Sequence, residues 1–237
     1  MSVADNFERA IPPKSRRNRE VGSRFEDIVD AAAQLFSEQG YAATSIQDIA
    51  DSVGLLKGSL YHYIHTKEDL LEAVIQEAHH HTASLGVEAL EVEGDALEKL
   101  RYVVRRHLSG ATGNLAKVRV FYREAKFLPP DRLQHILASR DTYEHSLRQI
   151  IATGMEEGSL APHLDPTLTA IAILAILNSV QQWFRPDGPR SLEEVTAAFT
   201  DLVLRSVSAG PVPVDGLLAK KPARPRGAAK RAGSATK

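Results

Sequence analysis

From Arg24 onward, apolar residues recur at helical spacing along nearly the whole chain. Phe25, Ile28, Val29, Ala32, Leu35 and Phe36 share one face of a first helix. Gly40 ends it, because glycine readily takes the left-handed backbone that closes a helix. A short second helix starts at Ser45, with Asp48 three residues on as the far half of a capping box, and ends at Gly54. A third spans Lys57 to Ile64, and a fourth follows Thr66 as N-cap and runs towards Ala89. Longer helices are predicted at 95–109, 115–127, 130–157, 166–184 and 191–208. Pro129-Pro130, Asp165-Pro166 and the Ser191/Glu194 pair mark three of their starts. No run alternates with period two for long enough to make a strand, so the chain reads as all-α.

The short helices carry the informative stretch, TSIQDIADSVGLLKGSLYHYIHTKEDL from Thr44 to Leu70. Two short helices meet at the tight turn Val53-Gly54-Leu55, and Ile46, Ile49, Ala50, Val53, Leu60 and Ile64 lock them against the first helix. The second of the pair then presents Leu56, Lys57, Gly58, Ser59, Tyr61 and His62 outward. Small groups there let a helix enter a DNA major groove. Thr44, Ser45, Tyr61, Tyr63 and Lys67 are placed to meet phosphates, which fix register without reading sequence.

The succession LFSEQGYAATS, IQDIADSVG, KGSLYHYI, TKEDLL resembles the DNA-binding domain of the TetR family over about fifty residues. Leu56 departs from the pattern, standing where that family often has a Ser or Thr that caps the helix. The later segments FYREAKFLPP (121–130), SRDTYEHSLRQIIATGMEEGSL (139–160) and LNSVQQWFRPDGP (177–189) are similar to the branch regulating fatty-acid, sterol and related acyl-CoA catabolism. The resemblance implies a three-helix DNA-binding domain and a larger helical domain enclosing a ligand. It also implies a homodimer formed by the last two long helices. The expected partners are a near-palindromic double-stranded operator and a small-molecule effector, for which that branch suggests an acyl-CoA. The expected activity is ligand-relieved repression in the cytoplasm.

Candidate ligand-binding residues are polar or aromatic side chains on otherwise apolar helices: Tyr102, Tyr122, Arg123, Phe127, Arg140, Tyr143, Asn178, Gln182 and Trp183. Each has a plain structural alternative, such as a Glu124–Arg140 ion pair or a Trp183 that only packs. The expected division is a basic arm at 1–22, a helix-turn-helix domain at 23–66, a ligand-binding and dimerisation domain at 67–209 and a basic tail at 210–237. The arm and the tail are expected to be disordered.

Composition narrows the functions. The chain has 237 residues, 43% of them hydrophobic and 25% charged, and no cysteine, which excludes thiolate metal sites and cysteine nucleophiles. The first residues lack the apolar core of a signal peptide. Pro166 to Phe184 carries no formal charge, but Thr167, Thr169, Asn178, Ser179, Gln181 and Gln182 favour a buried helix over a membrane span. Net charge is −1, yet both ends are basic, which fits contact with an anionic partner.

His79-His80-His81 invites a metal reading. Consecutive helical residues point about 100° apart, so a solvated surface is expected instead, with neither metal nor cofactor. No glycine-rich phosphate loop or nucleophile elbow occurs, and no enzyme is expected. A small-molecule-binding protein with a vestigial helix-turn-helix, a TetR-type regulator with a non-CoA apolar effector, and an all-α enzyme acting on acyl thioesters are the competing readings.

Overall fold

The computed structural model describes residues 16–210, without side-chain detail at 16–22, 80–83 and 135. Within these residues ten α-helices lie in order: α1 Arg16–Gln39, α2 Ile46–Ser52, α3 Lys57–Leu60, α4 Lys67–Glu91, α5 Ala96–Gly113, α6 Leu115–Glu124, α7 Pro130–Glu156, α8 Pro166–Asn178, α9 Val180–Trp183 and α10 Leu192–Val207. A 3-10 turn, Ala125–Phe127, follows α6. The described residues contain no strand, only one bridge pair between Leu160 and Ser208. None of their helices is long and apolar enough to cross a membrane.

Local chemistry sets the starts. Ser45 accepts from the Asp48 amide at 3.1 Å while Asp48 returns the bond to the Ser45 amide at 2.7 Å. The same reciprocal pair forms between Thr66 and Asp69, and between Ser191 and Glu194, satisfying amides that a helix start leaves without partners. Gly40 and Gly54 sit at φ +89° and +65°, where a side chain would strain the backbone.

Three boundaries differ from the pattern-based reading. Residues 16–22, assigned to the arm, are helical and extend α1 upstream of Arg24. The segment lacks an apolar stripe, so periodicity cannot see it, yet extending a formed helix costs far less than nucleating one. Residues 1–15 of the arm and 211–237 of the tail lie outside the described residues. The predicted helix 166–184 breaks at Ser179, whose hydroxyl donates to the Ile176 carbonyl at 2.7 Å; such back-bonding bends helices. The predicted helix 115–127 tightens into the 3-10 turn before Pro129-Pro130.

Two apolar cores form. One gathers Leu100, Val104, Leu108, Leu147, Ile151, Ile173, Leu177 and Val203 between α5, α7, α8 and α10. The other joins Ile28, Phe36, Ile49, Leu60, Leu70 and Ile75 of α1–α4, and is completed by Val120, Phe121, Leu128 and Ile136. The division at residue 66 is thus not a division of cores. Helix α6 packs on α1 and α4 and belongs to both halves.

Candidate nucleic-acid interface and ligand cavity

Helices α2 and α3 meet at Gly54. Ala50 accepts the Leu55 amide at 2.9 Å, and the Arg24 guanidinium donates to the Val53 carbonyl at 2.7 Å, fixing the turn to α1. Ile49, Ala50 and Leu60 are fully buried beneath, while Ser45, Lys57, Gly58, Tyr61 and His62 are exposed and Ser59 is half-buried. Leu56 is the N-cap of α3, makes no side-chain capping bond and is 80% exposed. A leucine that open leaves one helix amide uncapped and presents apolar surface beside the polar face.

Thr44, expected among the residues that meet phosphate, does not face solvent. It is buried, and its hydroxyl donates to the Gly40 carbonyl at 2.9 Å, the same carbonyl that accepts its backbone amide at 3.3 Å. Tyr63 is half-buried against the core of α1–α4. The Lys67 ammonium sits 4.2 Å from the centre of the Tyr41 ring. Burial lowers its pKa, against the pull of the Asp48 carboxylate.

The second domain encloses a cavity of about 220 Å³ between α4, α5, α6, α7 and α8. Leu85, Ala111, Val118, Phe121, Leu137 and Leu174 supply its apolar wall. Four of the sequence candidates line it: Tyr122, Arg140, Tyr143 and Asn178. Tyr122 is part-exposed, whereas Tyr143 is buried, and loss of solvent raises the pKa of both.

The other five candidates do not line the cavity. The Tyr102 hydroxyl donates to Glu88 at 2.8 Å. Arg123 reaches the Ser37 carbonyl at the end of α1, 3.1 Å away. Phe127 packs against Tyr41 with ring centres 5.2 Å apart. Gln182 is exposed, and Trp183 lies 5.9 Å from Phe199 on the outer face of α9 and α10. In each case the residue type is right for a pocket, but helix rotation points the side chain elsewhere.

The sequence reading missed His79, Arg106, His107, Phe121, Asp141 and Glu144 among the lining residues. His79 corrects the expectation of a solvated histidine run, because it lines the cavity. Its ring stands 4.1 Å from Phe121 at 86°. Loss of solvent, then the nearby Arg140 and His107, push its pKa down to about 4. His107 is also pushed down to about 4 by loss of solvent, opposed by its bond to Asn178, and its Nδ1 lies 3.2 Å from the Tyr143 hydroxyl. Both imidazoles are therefore neutral at pH 7, each with one donor and one acceptor nitrogen. No cluster of three or more metal-ligating side chains occurs among the described residues.

Helix α6 connects cavity and helix-turn-helix. Phe121 and Tyr122 face the cavity, while the Lys117 ammonium bonds Asp30 on α1 and Glu77 on α4, each at 2.5 Å. Burial works against that charge, but the two carboxylates outweigh it and raise the Lys117 pKa. On the far side, Arg119 donates to the Gln181 and Phe184 carbonyls at 2.8 and 2.9 Å, tying α6 to α9.

Comparison with known proteins places this architecture. Residues 28–74 match the family model described as bacterial regulatory proteins, tetR family, and residues 93–207 match the tetracyclin repressor-like C-terminal domain. The HTH-type transcriptional repressor KstR2 of Mycolicibacterium smegmatis is 29% identical over 187 residues, covering 78% of this chain and 91% of its own. The crystal structure of AibR in complex with isovaleryl coenzyme A and operator DNA is 25% identical, with a TM-score of 0.66 and coverage of 79% of this chain and 100% of that one. The TetR family transcriptional regulator PfmR from Thermus thermophilus is 39% identical, with a TM-score of 0.70, covering 75% of this chain and 97% of that one. With a relative this similar over nearly its full length, and both domains matched in order, the chain belongs to the TetR family of transcriptional regulators.

Proposed function

We propose that the protein is a homodimeric, operator-binding repressor released when the acyl group of an acyl-CoA thioester enters the cavity. It works in the cytoplasm by binding, without catalysis. The observation that carries the reading is the position of α6, which walls the cavity on one side and packs on the DNA-binding helices on the other. AibR, solved with an acyl-CoA and operator DNA together, supports the effector class.

At about 220 Å³ the cavity falls below the roughly 300–1,000 Å³ that encloses a whole drug-sized ligand. It therefore takes the acyl group and leaves the nucleotide outside. Arg106 and Arg140 on its lining are the cations available to the phosphates and the thioester carbonyl.

On DNA, Lys57, Gly58, Ser59, Tyr61 and His62 of each protomer enter successive major grooves roughly 34–36 Å apart, with Ser45, Tyr63 and Lys67 towards phosphate. The effector selects a conformation with the wrong spacing and draws the population off the operator.

Thermal unfolding with acyl-CoA thioesters, each beside its free acid, tests the effector. A ligand at a hundredfold its dissociation constant stabilises the fold by about 2.7 kcal/mol; a shift with thioester and none with acid is expected. No shift across the panel sinks the acyl-CoA reading. Replacing Tyr61 and Lys67 by Ala should weaken DNA binding several-fold and spare effector binding, whereas a protein with a vestigial helix-turn-helix would show no salt-sensitive, sequence-selective DNA affinity to lose.

A further inference from the structure

His79 faces the cavity from α4, and both of its ring nitrogens are buried without a hydrogen-bond partner. Buried polar groups are almost always satisfied, so such a group in a ligand cavity points to what the ligand supplies. Two of the other polar groups on the lining have partners within the protein: His107 holds Tyr143 and Asn178, and Glu144 pairs with Arg148 at 3.0 Å.

We propose that His79 reads the effector: the enclosed part of the ligand carries a neutral oxygen, a ketone or a hydroxyl, which hydrogen-bonds to this imidazole and displaces Phe121. The proposal deepens the acyl-CoA reading by stating what the acyl group must carry, and it rests on that reading for the remainder of the ligand.

Two features argue for a neutral oxygen. The imidazole stays uncharged at pH 7, since solvent loss, Arg140 and His107 all oppose its protonation, so it offers a carboxylate no charge. Leu85, Val118, Leu137 and Leu174 supply apolar surface in the same cavity, which suits an aliphatic chain or ring beside the oxygen.

The displacement follows from contact. Phe121 stands perpendicular to the imidazole, ring centres 4.1 Å apart, and the Arg140 guanidinium lies 5.3 Å from the centre of the same ring. The imidazole nitrogens are closed off in this state, so a ligand atom reaches them only if a neighbour gives way. Phe121 is also part of the core built on Phe36, Ile49 and Leu70. A ring driven out of place at His79 therefore disturbs the packing that holds the helix-turn-helix.

The test is calorimetry on the full-length protein with hexanoyl-CoA and its 3-oxo and 5-oxo counterparts, beside a CoA-free pair, cyclohexanone and methylcyclohexane. At least one oxygenated member of each set is expected to bind about tenfold tighter than its saturated match, the ratio one added neutral hydrogen bond supplies. His79→Phe should erase that preference, so that oxygenated and saturated members of each set bind alike. His79→Leu is a second apolar variant should the larger ring prevent folding, and His79→Gln, which keeps a donor and an acceptor, should retain the preference.

Equal binding of oxygenated and saturated ligands, or a preference that survives both apolar variants, overturns the proposal. If no thioester binds but cyclohexanone still outbinds methylcyclohexane through His79, the acyl-CoA reading falls and His79 stands. For the displacement, amide exchange along α1 and α6 should quicken with the oxygenated ligand in the parent protein but not in His79→Phe. Unchanged exchange in the parent removes Phe121 from the mechanism.

Discussion

His79 and His107 ionise near pH 6.5 when unfolded and at about 4 in the fold. As pH falls, the unfolded chain takes up these protons first, so stability that is complete above pH 6.5 is lost on the way down to about 4. Each displacement of that size is worth on the order of 3 kcal/mol at its full extent. Urea unfolding between pH 7 and pH 5 should show a falling midpoint, and His79→Phe should make that fall shallower; a parallel decline would assign the loss to other groups. Leu56 offers a change of opposite sign. With no capping bond at the start of α3, Leu56→Ser should add about 0.5–1 kcal/mol, seen as a rise of about 2 °C in Tm. An unchanged Tm would show that the exposed leucine already contributes as much as a cap.

At the scale of elements, the α4–α7 crossing explains why a helix-weakening residue sits inside α4. A Cβ added at Gly86 would lie 2.8 Å from Ser146 Oγ and 3.2 Å from Tyr143 Cα, and the backbone of α7 has nowhere to go. Gly→Ala in a free helix gains about 1 kcal/mol, but here overpacking should reverse the sign and cost about 1–3 kcal/mol. Chemical denaturation of Gly86→Ala measures which wins. Helix α6 is the other informative element. Lys117→Met removes the bonds to Asp30 and Glu77 while keeping the bulk of the side chain. Effector binding and DNA binding should each persist, but the effector's influence on DNA affinity should fall, and by thermodynamic reciprocity so should the influence of DNA on effector affinity. Undiminished coupling would mean the signal crosses without this tether.

Over the whole molecule, the outer face of α8, α9 and α10 remains apolar and open: Leu168, Ile171, Trp183 and Leu202 are 66%, 48%, 46% and 51% exposed. Four large side chains left in water on adjacent helices mark an association surface, and a two-fold contact uses the same face twice. Leu202→Asp should yield a monomer by analytical ultracentrifugation and lose most operator affinity, since one protomer reads only a half-site. A dimer that survives the charge would place the interface elsewhere.

The helices, their caps and the helix-turn-helix are legible in the sequence because each depends on residues three or four positions apart. Ser45/Asp48, Thr66/Asp69, Ser191/Glu194 and Gly54 are local signals and hold in three dimensions. The pocket is not local. Tyr122 and Arg123 are neighbours of similar promise in sequence, yet a rotation of about 100° sends one to the cavity and the other to Ser37. His79, set aside as part of a solvated histidine run, faces inward because α4 is packed against α6 and α7, a fact that no spacing within α4 contains. Sequence alone determined an all-α chain with a DNA-binding motif, through short-range hydrogen bonding and periodic burial. Which side chains surround the ligand, and that α6 serves both cores, was decided only when helices distant in the chain packed together, since burial and pKa belong to the assembled surroundings.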